Sequence, residues 1–146
     1  IIKIELPIYL DDSDQLEIKS NEKINMVGLN ILWVDDDSLI RDIAEEMLEV
    51  LEHKGKVVQN GEKALELLKK ESFDLVVTDI GMPGMNGWDL ADKIREEFND
   101  KIKIIALTGW GDQISDEKRK QHGVSELLSK PFKIEQLKGI INKVMQ

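Results

Sequence analysis

The sequence contains no cysteine. A disulfide framework and a thiolate metal site are therefore both excluded. No apolar run approaches the ~20 residues that a membrane-spanning helix needs, and no stretch has the pattern of a secretory leader. Lys and Arg total 20 against 29 Asp and Glu, a net charge of −9. Binding to a phosphate backbone depends on clustered Lys and Arg, and no such cluster occurs, so nucleic acid is not an expected partner. Neither GxxxxGK[ST] nor GxGxxG is present, which excludes the common glycine-rich phosphate loops. Together these absences suggest a cytoplasmic chain with no membrane contact of its own, whether or not a parent protein is membrane-anchored.

What is present suits one folded domain. The 146 residues are 41% apolar and 34% charged, enough for a single core and too apolar for wholesale disorder. The chain opens on Ile1 rather than Met and reads as a piece of a longer protein. Residues 1–9, "IIKIELPIY", read as a strand. Residues 10–28 are polar and acidic and read as a linker. The expected division is therefore 1–28, strand and linker, and 29–146, the main domain.

From Leu29 onward, apolar runs alternate with helical patterns. The runs 29–34, 56–58, 73–79, 101–107 and 124–129 predict strands apolar on both faces, which suits a sheet covered on both sides. Between them, 38–53 carries Ile40, Ile43, Ala44, Met47, Leu48 and Leu51 as one stripe, with Ser38 as its expected N-cap. Further helices are predicted over 61–71, 87–98 and 133–145. The weakest, 112–122, has Ile114 as its one strong apolar residue and suggests a short or mobile helix. Strand and helix alternate five times. That order implies a parallel sheet with right-handed crossovers, whose functional residues stand at the carboxyl ends of the strands.

Those ends carry Asp35, Asp36 and Asp37, then Asp79, then Thr108 followed by Gly109, then Lys130 followed by Pro131. Each has an ordinary reading. "DDDS" before a helix serves as a cap with favourable charge at the helix dipole. Asp79 suits a turn, Thr108 a buried hydroxyl, Lys130 a solvated surface. A calcium loop running from Asp35 to Glu46 is excluded, because Ile40 stands where that loop needs glycine. Taken together, several carboxylates on one rim repel one another unless a cation sits among them. Oxygen ligands of this kind favour Mg²⁺, and a hydroxyl with an ammonium could hold phosphoryl oxygens. The set describes phosphoryl transfer to an aspartate.

Four blocks, "ILWVDDD", "FDLVVTDIGMPGMNGWDL", "IIALTGWG" and "LLSKPF", occur in order within 29–146. They resemble the receiver (response-regulator) domain family of two-component signalling. The resemblance implies an α/β fold, a (βα)5 flavodoxin-like sandwich with strand order 2-1-3-4-5. It implies Asp79 as phosphoacceptor, taking the group from a phosphohistidine. Asp36 and Asp79 would bind Mg²⁺ directly, Asp35 would complete the acidic pocket through water, and the Gly81 backbone carbonyl would add an oxygen. Thr108 would hydrogen-bond the phosphoryl group, and Lys130 would pair with Asp79 or the phosphoryl oxygens, ahead of a cis bond to Pro131. Asp37 would be mainly a cap. Expected partners are a histidine kinase or a histidine phosphotransfer domain, with the last two helices and the fifth strand as the surface a partner reads.

The chain departs from the family pattern at Leu127, where an aromatic residue is usual. Gly109 is small and would leave the site open, while Trp110 would lie over it and slow attack by water. "IIKIELPIY" is also similar to the closing strand of the histidine-kinase ATPase domain, which implies the tail of a hybrid sensor kinase; the fragment itself lacks an ATP site. Two other readings stand beside the phosphoacceptor. One is a receiver used only for protein–protein contact. The other is an aspartyl phosphatase, whose usual second Asp would fall at Gly81.

Overall fold

The computed structural model describes residues 26–109 and 113–146. Its elements are β1 (Asn30–Val34), α1 (Ser38–Val50), β2 (Lys54–Val58), α2 (Gly61–Lys70), β3 (Leu75–Asp79), α3 (Gly87–Phe98), β4 (Lys103–Thr108), α4 (Asp116–Gln121), β5 (Glu126–Ser129) and α5 (Ile134–Met145). The five strands are all parallel, in the order β2-β1-β3-β4-β5. This is the expected flavodoxin-like order. The chain reverses its direction of growth at the β1/β3 boundary, where a crevice opens above the carboxyl ends.

Alternation along the strands builds two cores. Leu32, Val34, Val76, Ile104 and Ala106 face Ala64, Leu65 and Leu68 of α2 and Leu90, Ala91 and Ile94 of α3. Ile31, Trp33, Leu75, Val77, Ile105 and Leu107 face Ala44 and Leu48 of α1 and Leu137 and Ile141 of α5. At about 25 cal/mol per Å², each fully buried aliphatic side chain contributes roughly 1.5–3 kcal/mol. In the three central strands, β1, β3 and β4, every hydrophobic residue is at most 1% exposed.

β2 differs from the reading of its sequence. It begins at Lys54 rather than at 56, and Lys54, Gly55 and Lys56 are exposed. As an edge strand it needs no apolar residue on its outer side, so the apolar run understates its length. Gly55 is required there, since a Cβ would collide with the backbone oxygen of Ile31.

The first helix is capped by Asp37 rather than Ser38. Asp37 has an extended backbone and its Oδ1 accepts the Leu39 N–H at 3.0 Å, while Ser38 is already helical. The predicted stripe on this helix is also split. Ala44 and Leu48 are buried, but Ile43 is 41% exposed. Ile40, Ile43 and Met47 line a surface groove with Leu107, Pro131 and Phe132, and of the three only Met47 also packs on the core. Asn86 and Asp89 cap α3 reciprocally. α4 is shorter than 112–122: Ser115 caps it, Ile114 lies outside it, and none of its residues is buried.

The end of the expected linker lies against the domain. The Gly28 N–H donates to the Glu52 carbonyl at 2.8 Å, and the Met26 N–H to Asn142 Oδ1 at 3.3 Å. The expected strand 1–9, the rest of the linker to residue 25, and Trp110 lie outside the described residues. Among the described residues, no helix is long and apolar enough to cross a membrane.

Candidate functional site

The parallel topology brings the carboxyl ends of β1, β3, β4 and β5 to one rim. Asp35 follows β1, Asp79 ends β3, Thr108 ends β4, and Lys130 follows β5. Carboxylate oxygens of Asp35, Asp36 and Asp79 all lie within 4.8 Å of one another. Asp35 and Asp79 are buried, at 1% and 8% exposure, whereas Asp36 is exposed. Lys130 Nζ donates to Asp79 Oδ1 at 3.0 Å. One ammonium thus faces three carboxylates.

Backbone bonds fix these side chains in place. The Asp35 N–H donates to Val58 O at 3.1 Å, and Asp35 Oδ1 accepts the Asp37 N–H at 3.0 Å. Arg41 of α1 donates to the Asp35 carbonyl at 2.8 Å. The Ile80 N–H donates to Leu107 O at 3.0 Å, so the β3–α3 loop stays in register with β4 just past Asp79. The Lys130 N–H donates to Thr108 O at 2.8 Å, which ties the lysine to the threonine strand, and the Lys130–Pro131 bond is cis. Thr108 is 4% exposed.

The electrostatics are unbalanced at Asp35. Burial, above all, pushes its carboxyl above the ordinary range, and the Asp79 and Asp36 charges add to this. The Asp37 N–H and Lys130 pull the other way without cancelling it. Asp35 Oδ2 is buried and has no hydrogen-bond partner among the described residues. A buried carboxylate oxygen without a donor costs about 1–3 kcal/mol or more, unless a cation supplies the missing partner. An all-oxygen donor set with one exposed carboxylate open to water fits a small hard ion such as Mg²⁺.

The structure thus brings together Asp35, Asp36, Asp79, Thr108 and Lys130. Gly81 lies nearby in the exposed β3–α3 loop, and a Cβ on it would meet open space. Asp37 caps α1, as expected. Leu127 is partly buried, paired in register with Ala106, and packs on the α2/α3 core. Sequence reasoning missed Arg41, which holds Asp35 from one turn into α1, and Gly87, which packs on the Asp79 backbone. The spacing of Gly87 just after an Asn cap was the available signal.

A doubly wound parallel sheet with buried carboxylates, a threonine and a lysine along one rim defines the receiver class of α/β domains. The chain belongs to the response regulator receiver domain family, which matches residues 31–142. It is 35% identical over 122 residues to the two-component response regulator ARR12 of Arabidopsis thaliana, covering 82% of this chain and 20% of that protein. A probable transcriptional regulator, ycf27 of Cyanidium caldarium, is 30% identical and covers 90% of this chain and 51% of its own length. Among solved structures, the chemotaxis response regulator CheY4 of Vibrio cholerae aligns with TM-score 0.74 and 27% identity, over 81% of this chain and 99% of that one. The receiver domain of sensor histidine kinase PA1611 from Pseudomonas aeruginosa aligns with TM-score 0.73 and 29% identity, over 82% of this chain and 100% of that one. That structure has a magnesium ion coordinated in the active-site cleft. The chain spans only a fifth to a half of the length of these curated relatives.

Proposed function

We propose that this receiver accepts a phosphoryl group on Asp79 from a phosphohistidine of a histidine kinase or histidine phosphotransfer domain. The observation that carries the reading is the buried Asp79 carboxylate held at 3.0 Å by Lys130 beside two further carboxylates. In the transfer, a carboxylate oxygen of Asp79 forms the new O–P bond as the N–P bond breaks. The bonding pair returns to the imidazole, which leaves neutral with its other nitrogen carrying the proton. Lys130 stays close enough to follow the charge from carboxylate to phosphoryl oxygens, and Thr108 offers its hydroxyl from the adjacent strand.

Asp36 and Asp79 would hold Mg²⁺ directly, with Asp35 behind them and the Gly81 carbonyl beside them. Bound there, the ion offsets the charge of the carboxylates and of the incoming phosphoryl group. The residues of the chain do the rest. The β1 and β3 ends set the carboxylates, Lys130 orients Asp79, and the small Gly81 and Gly109 leave an approach.

The apolar groove of Ile40, Ile43, Met47, Leu107, Pro131 and Phe132 borders Lys130. It suits a helix of the phosphohistidine-bearing protein. Acidic Asp42, Glu45 and Glu46 on exposed positions of α1 favour a basic rim on that helix. The similarity of 1–9 to the closing strand of a kinase ATPase domain supports a hybrid sensor kinase as the parent.

Acetyl phosphate and Mg²⁺ followed by intact-mass measurement test the acceptor reading. The expected result is one phosphoryl adduct on the wild type, absent in Asp79→Asn and absent when Mg²⁺ is chelated. An unmodified wild type would favour a receiver used only for contact. Rapid turnover of varied phosphoesters would favour a phosphatase.

A further inference from the structure

α4 buries none of its six residues, so apolar packing does not hold it in place. Its attachment is of another kind. On α3, Trp88, Asp92 and Arg95 stand at the i, i+4, i+7 spacing of one helix face. Each grips α4 or the turn after it. The Trp88 ring stacks on His122 with centroids 4.9 Å apart, and Lys118 Nζ lies 5.2 Å from the Trp88 ring centre. Asp92 Oδ1 and His122 Nδ1 are 2.7 Å apart. Arg95 donates to the Gly123 carbonyl twice, at 2.9 and 2.7 Å, and also to the carbonyls of Asn99 and Ile102. Gly123 has φ of 72°, and a Cβ there would lie 2.5 Å from Arg95 Nε, so a side chain would break this grip.

The helix that carries this face begins at the phosphoacceptor loop, with Gly87 on the adjoining buried side beside Ala91 and Ile94. Gly87, the residue before Trp88, packs on the backbone of Asp79: a Cβ on it would be 2.5 Å from the Asp79 oxygen and 2.8 Å from Ile80 Cα. Its own N–H donates to Ile80 O at 2.9 Å. A displacement of the loop beyond Asp79 therefore bears on the first turn of α3, which carries Trp88. On the same core, the position of the usual β5 aromatic is filled by Leu127, which offers no ring to swing.

We propose that the Trp88–Asp92–Arg95 face of α3 is a latch through which modification of Asp79 is coupled to release of α4. The proposal rests on Asp79 as the phosphoacceptor. A phosphoryl group enlarges the Asp79 side chain, the loop from Ile80 to Asn86 makes room, and Trp88 moves off His122 and Lys118. The stack is worth little enough to break: cation–π and aromatic contacts at partly exposed sites each account for a factor of a few in an equilibrium. Because coupling is reciprocal, weakening the latch by mutation must favour the modified arrangement by the factor it loosens α4.

Hydrogen exchange over 116–125 and the affinity for beryllofluoride with Mg²⁺, on the full 146-residue chain, provide the test. In the wild type, beryllofluoride is expected to speed exchange over 116–125. Trp88→Leu alone should speed it about three- to tenfold and tighten beryllofluoride binding by a similar factor. Trp88→Phe, which keeps a ring, should restore most of both effects. His122→Gln leaves the α3 core intact and should act as Trp88→Leu does, which covers the case of a misfolded Trp88 variant. Faster exchange in Trp88→Leu with unchanged beryllofluoride affinity would reduce the face to a structural brace and overturn the latch. So would a wild type that binds beryllofluoride with no response over 116–125. A wild type that neither binds it nor gains mass from acetyl phosphate would instead remove the phosphoacceptor reading, and the latch with it.

Discussion

A Cβ built on Gly87 would stand 2.5 Å from the backbone oxygen of Asp79. The neighbour is backbone at the end of a central strand, so it cannot swing aside as a side chain would. Gly87→Ala must therefore push the first turn of α3 away from Asp79 or be squeezed itself. Overpacking of this kind costs about 1–3 kcal/mol. Urea unfolding should show that loss for Gly87→Ala, together with slower adduct formation from acetyl phosphate. Gly81→Ala, whose Cβ meets nothing within 4 Å, should leave the unfolding midpoint almost unchanged. Equal effects of the two substitutions would contradict this account.

The Lys130–Asp79 pair makes a second case. Lys130 donates to a carboxylate of the acidic cluster, whereas Arg41 reaches only the backbone carbonyl of Asp35. Lys130→Met leaves Asp79 next to Asp35 and Asp36 with no counter-charge, and loss of a charge-assisted hydrogen bond costs about 1.5–3 kcal/mol. Asp79→Asn removes one of the repelling carboxylates, so it should cost less, or stabilise the fold. In the double mutant, the penalty of Lys130→Met should shrink by about 1 kcal/mol or more, the sign of direct coupling. The measurement is a double-mutant cycle of denaturant unfolding in chelator. Strict additivity would mean that the 3.0 Å contact contributes no net energy.

Much of this was legible in the sequence, for definable reasons. The five strands follow from apolar runs alternating with helical periodicity, and their order in the sheet from the resemblance to the receiver family; 87–98 matches α3 at both ends, the first of them set by the capping box of Asn86 and Asp89. The strand ends are visible because a carboxylate or a lysine stops an apolar run abruptly, as at Asp79 and Lys130. Three things were not legible. β2 extends beyond its apolar run because edge position, not hydropathy, sets its length. The α1 stripe divides because periodicity identifies a face without telling how much of it a neighbour covers, and Ile43 falls outside the covered part. The grip of Arg95 on Gly123 joins residues 28 apart, with bonds to carbonyls, and carbonyls leave no mark on the sequence.

His53 sets a pH dependence remote from the site. It is 9% exposed, and its Nδ1 accepts the Leu29 N–H at 3.2 Å, at the entry to β1. Burial lowers its pKa below the ordinary 6.5, opposed only in part by Glu52. Protonation would also replace that acceptor with a donor. With a folded-state pKa below the unfolded value, the unfolded chain binds the proton more tightly. The stabilisation is therefore fully present above pH 6.5 and is lost as the pH falls through the folded-state value. Unfolding free energy measured by urea should decline on this acid side with a slope of up to about 1.4 kcal/mol per pH unit from this group. In His53→Gln that contribution to the slope should vanish. An unchanged slope in the variant would assign the acid sensitivity to the carboxylates instead.

Docking and chemistry should separate at Ile43. Its side chain is 41% exposed, in the apolar groove that runs from α1 to Pro131 and Phe132. An aspartate there meets water in the free protein, so the fold should lose no more than about 0.5 kcal/mol, the usual effect of a surface substitution. Against a partner helix the same aspartate buries a charge within an apolar contact and lies beside the acidic Asp42 and Glu46 of α1. Removing an apolar anchor from the centre of an interface costs about 2 kcal/mol or more, equivalent to at least tenfold in affinity. Acetyl phosphate is too small to touch the groove. Ile43→Asp should therefore keep the wild-type rate of adduct formation with acetyl phosphate and lose at least tenfold in transfer from a phosphorylated histidine phosphotransfer domain, a loss that appears in the concentration dependence rather than in the maximal rate. Equal losses with both donors would place the effect at Asp79 itself. Equal rates with both would move the docking surface away from α1, toward the face of α4, β5 and α5.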